Sequence, residues 1–187
     1  MIPLRNARYL SQSFLEGFVR PGDTCVDATL GNGHDCLRLC QLVGEKGLVH
    51  GFDVQEQALQ SSRQRLAQAG VLERAHLHLL SHAQMESVVQ PGVRAVLFNL
   101  GWLPGGDHGV TTRPDSTLQA IHASLRLLQS GGRLLVCCYP GHAEGSRELE
   151  AVRALASALD VRRFNALFCE FVNQGAESPK LLVVDKA

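Results

Sequence analysis

Lysine is scarce in this chain. Only Lys46, Lys180 and Lys186 contribute to its 18 basic residues, and the formal net charge is zero. That balance excludes a global positive field able to draw in nucleic acid from a distance. The arginine excess suits bidentate phosphate contacts, and equally suits a GC-rich genome. No apolar run is long enough to cross a bilayer, and the opening Met-Ile-Pro-Leu-Arg-Asn lacks the apolar centre of a secretory signal. A cytoplasmic chain without membrane contact is therefore expected. Repeats, linkers and low-complexity stretches are also missing, so residues 1–187 read as one domain, large enough to bury a core without staples or metals. None of the six cysteines has zinc-site spacing. Cys36 and Cys40 fall on a predicted helix, Cys137 and Cys138 on a strand, and Cys25 and Cys169 in apolar runs. Reduced buried thiols and no metal are expected.

What is present begins at Val26-Asp-Ala-Thr-Leu-Gly-Asn-Gly-His-Asp35, with Asp53 twenty positions after Gly33. A strand ending in a carboxylate, a glycine turn, and a second strand ending in an acid describe half of a nucleoside-binding α/β fold. The glycines let backbone approach the ligand and the downstream acid takes the ribose hydroxyls. Apolar runs and helical periodicity alternate along the chain. Helices are predicted over 6–19, 35–43, 55–69, 113–129 and 145–159, and strands over 24–28, 48–53, 76–80, 95–100, 133–139, 165–172 and 181–185. Thr112 and Asp115, with Pro114 in the first turn, form a capping-box pattern. Alternation that ends in two successive strands predicts a Rossmann-like, seven-stranded, mostly parallel sheet with a C-terminal antiparallel hairpin and helices on both faces.

The dinucleotide fingerprint needs a third glycine where this chain has Cys36. The terminal hairpin also belongs to the methyltransferase version of the fold, and no Tyr-x-x-x-Lys pair supports hydride transfer. S-adenosylmethionine is therefore the expected cofactor, with NAD(P) the alternative. Asp27, directly or through water, would offset its ammonium, while Thr29, Gly31, Asn32, Gly33 and Asp35 would surround its tail. Asp53 would take the ribose, and Val54, Gln55, Ser81 and His82 would flank the adenine. Asp27 and Asp53 also have blander readings, as a turn cap and an end-of-strand turn residue.

Asn99 ends the fourth predicted strand and opens Leu-Gly-Trp-Leu-Pro-Gly-Gly-Asp-His-Gly-Val-Thr-Thr. Ligands bind outside the carboxyl ends of such strands. Asn99 could hold an amine with its lone pair aimed at a methyl group. Trp102 could stack on a flat substrate or fill a core, and Gly106 and its neighbours suit a substrate loop.

These segments, with Tyr139-Pro-Gly-His-Ala-Glu-Gly145, Glu148 and Asn173-Gln174, resemble the YtqB-like family, small class I methyltransferases once labelled rRNA methylases. The resemblance runs in the same order over nearly the whole chain. Departures from the family pattern are Trp102 for tyrosine, His108 for lysine, Cys36 for threonine, and Ala176-Glu-Ser-Pro179 for a proline pair.

The resemblance implies methyl transfer to the aminomethyl group of a wobble uridine, with the tRNA anticodon stem-loop as partner. On that reading Asp107 orients the amine and His142 removes its proton or supports the site. Gly106, His108, Trp102, Thr111, Thr112 and Tyr139 contact substrate, Thr111 and Thr112 serving alternatively as caps. Arg5, Arg8, Arg113 and Arg147 would form a phosphate patch, and a homodimer would help grip a stem-loop. Other readings are a methyltransferase for another RNA or a small amine, and a cofactor- or RNA-binding module without turnover.

Overall fold

The computed structural model describes residues 5–103, 105 and 111–187. Seven strands form one sheet in the order β3-β2-β1-β4-β5-β7-β6. They are β1 (Thr24–Asp27), β2 (Leu48–Asp53), β3 (Ala75–Leu79), β4 (Val93–Asn99), β5 (Leu128–Cys138), β6 (Phe164–Cys169) and β7 (Lys180–Lys186). The first five are parallel, and β7 runs antiparallel to both β5 and β6. The expected topology is the observed one. Strands buried on both faces are apolar throughout rather than alternating, and Val93 to Phe98 is buried at every position but Arg94.

Five helices cover the faces: α1 (Ala7–Leu15), α2 (His34–Val43), α3 (Glu56–Gln68), α4 (Pro114–Leu127) and α5 (Ala143–Ser157). One apolar layer unites the sheet with α4 and α5 around Phe52, Phe98, Ile121 and Val152. The other unites it with α1, α2 and α3 around Leu15, Leu39, Leu66 and Leu97. Burying each large apolar side chain contributes about 1.5–3 kcal/mol. Among the described residues no helix is long and apolar enough to span a membrane. All six cysteines are unpaired thiols, five of them buried.

Helix α1 matters most for the site. Asn6 caps it, its side chain accepting from the Tyr9 amide. Its C-terminal end is fixed to the sheet by two arginines. Arg133 Nη1 donates to Phe14 O (3.0 Å), and Arg94 Nε to Phe18 O (3.2 Å). Both guanidinium groups also lie over the Phe18 ring, at 4.1 and 3.9 Å. Arg133 is itself held by Asp185 (2.6 Å) in the facing β7 register. The start of α1 is thereby laid beside the carboxyl ends of the central strands. There, between β1 and β4, the strand order reverses, leaving the crevice in which such sheets bind ligands.

Candidate active site

A cavity of about 440 Å³ opens at this crevice, within the range of small-molecule sites. At one end Asp53 closes β2. Its Oδ2 accepts from the Gly31 amide and its Oδ1 from the Gln55 amide, both at 2.9 Å. The carboxylate is thus fixed in orientation, and each oxygen keeps a lone pair for a diol. The glycine turn is anchored from α3: Ser62 Oγ donates to Gly31 O (2.9 Å) and Arg65 Nε to Asn32 O (2.7 Å). Gly33 is required here. Its φ is +74°, and a Cβ would lie 2.6 Å from Ser62 Oγ. Val54, at 59 % exposure, and Gln55 line the wall beside Asp53.

His82 is buried, with Nδ1 3.2 Å from Ala28 O. A carbonyl only accepts, so Nδ1 carries the proton and Nε2 is left as an acceptor. Burial lowers the ring's proton affinity and favours this neutral form. Ser81 also lines the cavity, and its hydroxyl accepts from the Ala83 amide (3.3 Å).

Asp27 corrects one expectation. Its carboxyl is fully buried and lies behind the cavity wall, so it offers no direct contact to a ligand. Oδ1 accepts from the Thr29 amide (3.2 Å), and Oδ2 is buried without a hydrogen-bond partner. Burial, reinforced by the charge of Asp35, pushes its pKa up to about 8.

The opposite end is built around Asp35, in the first turn of α2. Its Oδ2 accepts from Arg8 Nε and from Asn99 Nδ2, both at 3.0 Å. Its Oδ1 accepts from Gln12 Nε2 (2.9 Å) and Arg8 Nη2 (3.4 Å). Because a carboxylate oxygen cannot donate, Asp35 fixes which end of the Asn99 amide faces it. The Asn99 Oδ1 is left to accept from Tyr139 Oη at 3.4 Å. Burial raises the Tyr139 pKa, so the phenol keeps its proton and remains the donor. The main-chain amide of Asn99 donates separately to Thr29 Oγ1 (2.6 Å). Asn99 is therefore held from both backbone and side chain.

The long segment after β4 returns through a bridge between Trp102 and Thr111. Gly106, Asp107 and His108 lie outside the described residues. Thr112 does not cap α4: Arg113 occupies that position, without a side-chain cap. The Thr112 hydroxyl instead accepts from the Gly101 amide and donates to Glu148 Oε2, both at 2.8 Å. Thr117 donates to Glu148 Oε1 (2.5 Å). Glu148 is buried, and burial outweighs the two hydroxyls to raise its pKa. Thr111 and Thr112 both line the cavity, and Thr111 Oγ1 is buried without a partner.

His142 caps α5, its Nδ1 accepting from the Gly145 amide (3.1 Å). In the neutral ring Nε2 must then carry the proton, and that nitrogen is buried without a hydrogen-bond partner, so His142 is not placed as a base. The expected proton removal by His142 is corrected on that ground. Its ring packs against Trp102 at 4.6 Å between centroids. Trp102 is 37 % exposed, so the core reading of this tryptophan fails.

Thr29, Gly31, Asn32, Asp35, Asn99 and Tyr139 also line the cavity. Of the four arginines read as a phosphate patch, Arg8 faces Asp35, and Arg147 lies 3.6 Å from Glu144. Sequence reasoning missed Gln12, His34, Leu103 and Ser116, and gave Glu148 no role. For Gln12, Ser116 and Glu148 the only signal was helical spacing, which marks a face and not its partner, and Leu103 in the loop after β4 carried none.

The family model described as "Putative rRNA methylase" matches residues 49–185. The chain belongs to that family. It is 39% identical over 166 residues, 83% of its length, to the chloroplastic tRNA (mnm5s2U34)-methyltransferase of Arabidopsis thaliana. That alignment spans 60% of the plant protein. The crystal structure of a "putative rRNA-methylase" from Clostridium thermocellum superposes with a TM-score of 0.96 at 37% identity, covering 99% of this chain and all of that one. A "putative methyltransferase" of Streptococcus mutans, solved in complex with SAH, gives 0.89 at 34% identity and the same coverage.

Proposed function

We propose that this chain, read as one domain, is an S-adenosylmethionine-dependent methyltransferase acting on the 5-aminomethyl group of the tRNA wobble uridine. The observation that carries the reading is the fixed amide of Asn99, facing a cavity whose other end presents the Asp53 carboxylate. The residues present fit the cofactor. Asp53 keeps a lone pair on each oxygen for the two ribose hydroxyls, and His82 Nε2 offers an acceptor to an exocyclic amine. The Streptococcus mutans relative with SAH and the plant tRNA enzyme support the same assignment.

When bound, the cofactor supplies a methyl group on a sulfonium, a neutral and already activated leaving group. The N–C bond forms as the C–S bond breaks, with its electron pair passing to sulfur and a proton leaving the new ammonium. The chain therefore has to align more than it has to activate. Alignment of this kind is worth about 7–11 kcal/mol at best. Asn99 Oδ1 accepts an N–H of the substrate amine and turns its lone pair along the transfer axis. Trp102 offers a stacking face to an unpaired base, the usual means of reading single-stranded RNA. Thr111, bridged to Trp102, lines the same wall, and its buried Oγ1 has no hydrogen-bond partner. Asp107 remains our choice for the group that orients the amine.

The test is incubation with methyl-labelled cofactor and tRNA carrying 5-aminomethyl-2-thiouridine, followed by nucleoside mass spectrometry. Label on the wobble nucleoside is expected. Label on another base, or none with that tRNA, refutes the substrate assignment. The zero net charge favours a second reading, a small amine as substrate, which the same assay separates by running free aminomethyl nucleoside beside the tRNA.

A further inference from the structure

We propose that Arg8 is the receptor for the α-carboxylate of the cofactor's amino-acid tail, and that Asp35 is the strut that aims it. This inference deepens the cofactor reading above and rests on it. Among the described residues lining the cavity, Arg8 is the only arginine or lysine. A carboxylate taken out of water needs a cation or several donors, and the end of the cavity occupied by Asp53 offers no cation and presents a carboxylate that would repel it. The tail must therefore lie toward Asp35, Asn99 and Tyr139, where Arg8 is found.

The geometry leaves Arg8 free for this role and excludes Asp35 from it. The four acceptor positions of Asp35 are taken by Arg8 twice, by Gln12 and by Asn99. It holds other groups and has no position left for a ligand. Arg8 commits Nε and Nη2 to Asp35, and Nη1 takes no part in that pair. Burial works against its charge, but Asp35 outweighs burial and keeps the guanidinium charged. A guanidinium held along one edge presents the other in a planar fork that matches a carboxylate. The far end of α1 is fixed independently by Arg133 and Arg94, so altering Arg8 leaves the helix in place.

The test compares two ligands by the fluorescence of Trp102, the only tryptophan. S-adenosylhomocysteine carries the carboxylate, and S-adenosyl-3-thiopropylamine lacks it and keeps the ammonium. Native protein is expected to bind the former about 10- to 100-fold more tightly, as charge-assisted hydrogen bonds imply. Arg8→Gln should abolish that preference by weakening only the carboxylate-bearing ligand, and Arg8→Lys should restore part of it. Unfolding curves without ligand check that both variants are folded, and the preference of the native protein stands as a test without them. Equal affinity of native protein for the two ligands overturns the inference. So does equal weakening of both in Arg8→Gln, or loss of tRNA binding alone, which would assign Arg8 to a phosphate. Native protein that binds neither ligand overturns the cofactor reading and this inference together.

Discussion

Replacing Asn99 by alanine separates alignment from binding. The substitution removes the Nδ2 donor to Asp35 and the Oδ1 acceptor facing the cavity. The main-chain bond to Thr29 remains, so β4 keeps its place. Losing one hydrogen bond to a carboxylate costs about 1.5–3 kcal/mol of stability, tolerable for a fold of this size. Asp35 retains Arg8 and Gln12, and the Asp53 end is untouched, so affinity for S-adenosylhomocysteine should stay within about threefold. The chemical step should slow far more, by about 100- to 1000-fold, the usual cost of losing one preorganised group at a reacting centre. Single-turnover methyl transfer at saturating cofactor measures the second quantity, and Trp102 quenching the first. Equal losses in both would place Asn99 in binding, and an unchanged rate would remove it from the mechanism.

Asp53→Ala should weaken S-adenosylhomocysteine by about 100-fold or more, since two charge-assisted contacts to a diol are lost; calorimetry showing native affinity would reassign the acid. Glu148→Ala leaves the hydroxyl of Thr117 without its partner and removes the anchor of the Thr112 hydroxyl, and should cost about 2–4 kcal/mol in urea unfolding. A cost below about 1 kcal/mol would mean that the buried carboxyl does not hold the loop. Gly33→Ala places a Cβ against the Ser62 backbone at positive φ and should destabilise by about 1–3 kcal/mol or more, which thermal melting would reveal. Asp27 gives a pH signature. Its folded pKa of about 8 exceeds the ordinary 3.8, so the folded state binds more protons between those values and ligand-free stability falls as pH rises through them. At about 1.4 kcal/mol per tenfold change in proton affinity, up to roughly 6 kcal/mol is at stake. Urea unfolding from pH 5 to 8 should show a flatter slope for Asp27→Asn, and an unchanged slope would refute the burial argument.

Strand order, the hairpin and the glycine turn were legible because each has a local signature. Boundaries were less so. The predicted helix runs through Gln129 and the predicted strand starts only at Arg133, yet β5 begins at Leu128, which pairs with Val93 across an irregularity before Ala95. Conversely, Phe171 and Val172 look like strand, but β6 ends at Cys169, where its pairing with Leu181 runs out. Val172 is fully exposed, so apolar character there marks no burial. At the site, Asp53 and Asn99 could be read from their places at strand ends. Arg8 could not, because its partner is 27 positions away and an arginine on a helix looks like a solvated charge. His142 was misread for a related reason: imidazole chemistry is set by which nitrogen is already engaged, and the sequence does not show that the Gly145 amide takes Nδ1.

The placement of Asp35 also argues which nucleoside cofactor the fold admits. In dinucleotide-binding sheets the pyrophosphate rests on the N-terminus of the first crossover helix, whose free amides and partial positive charge favour an anion. Here that first turn carries Asp35, with Asp53 across the cavity. Arg8 is the only cationic counterweight among the described arginine and lysine residues of the wall, and Asp35 already engages it. A diphosphate would meet carboxylates where it needs donors. A sulfonium with an ammonium-bearing tail meets compensating charge, and its single carboxylate finds one guanidinium edge. Cys36 stands where the third glycine would permit close helix–strand packing, and α2 instead meets the sheet through a fully buried thiol side chain.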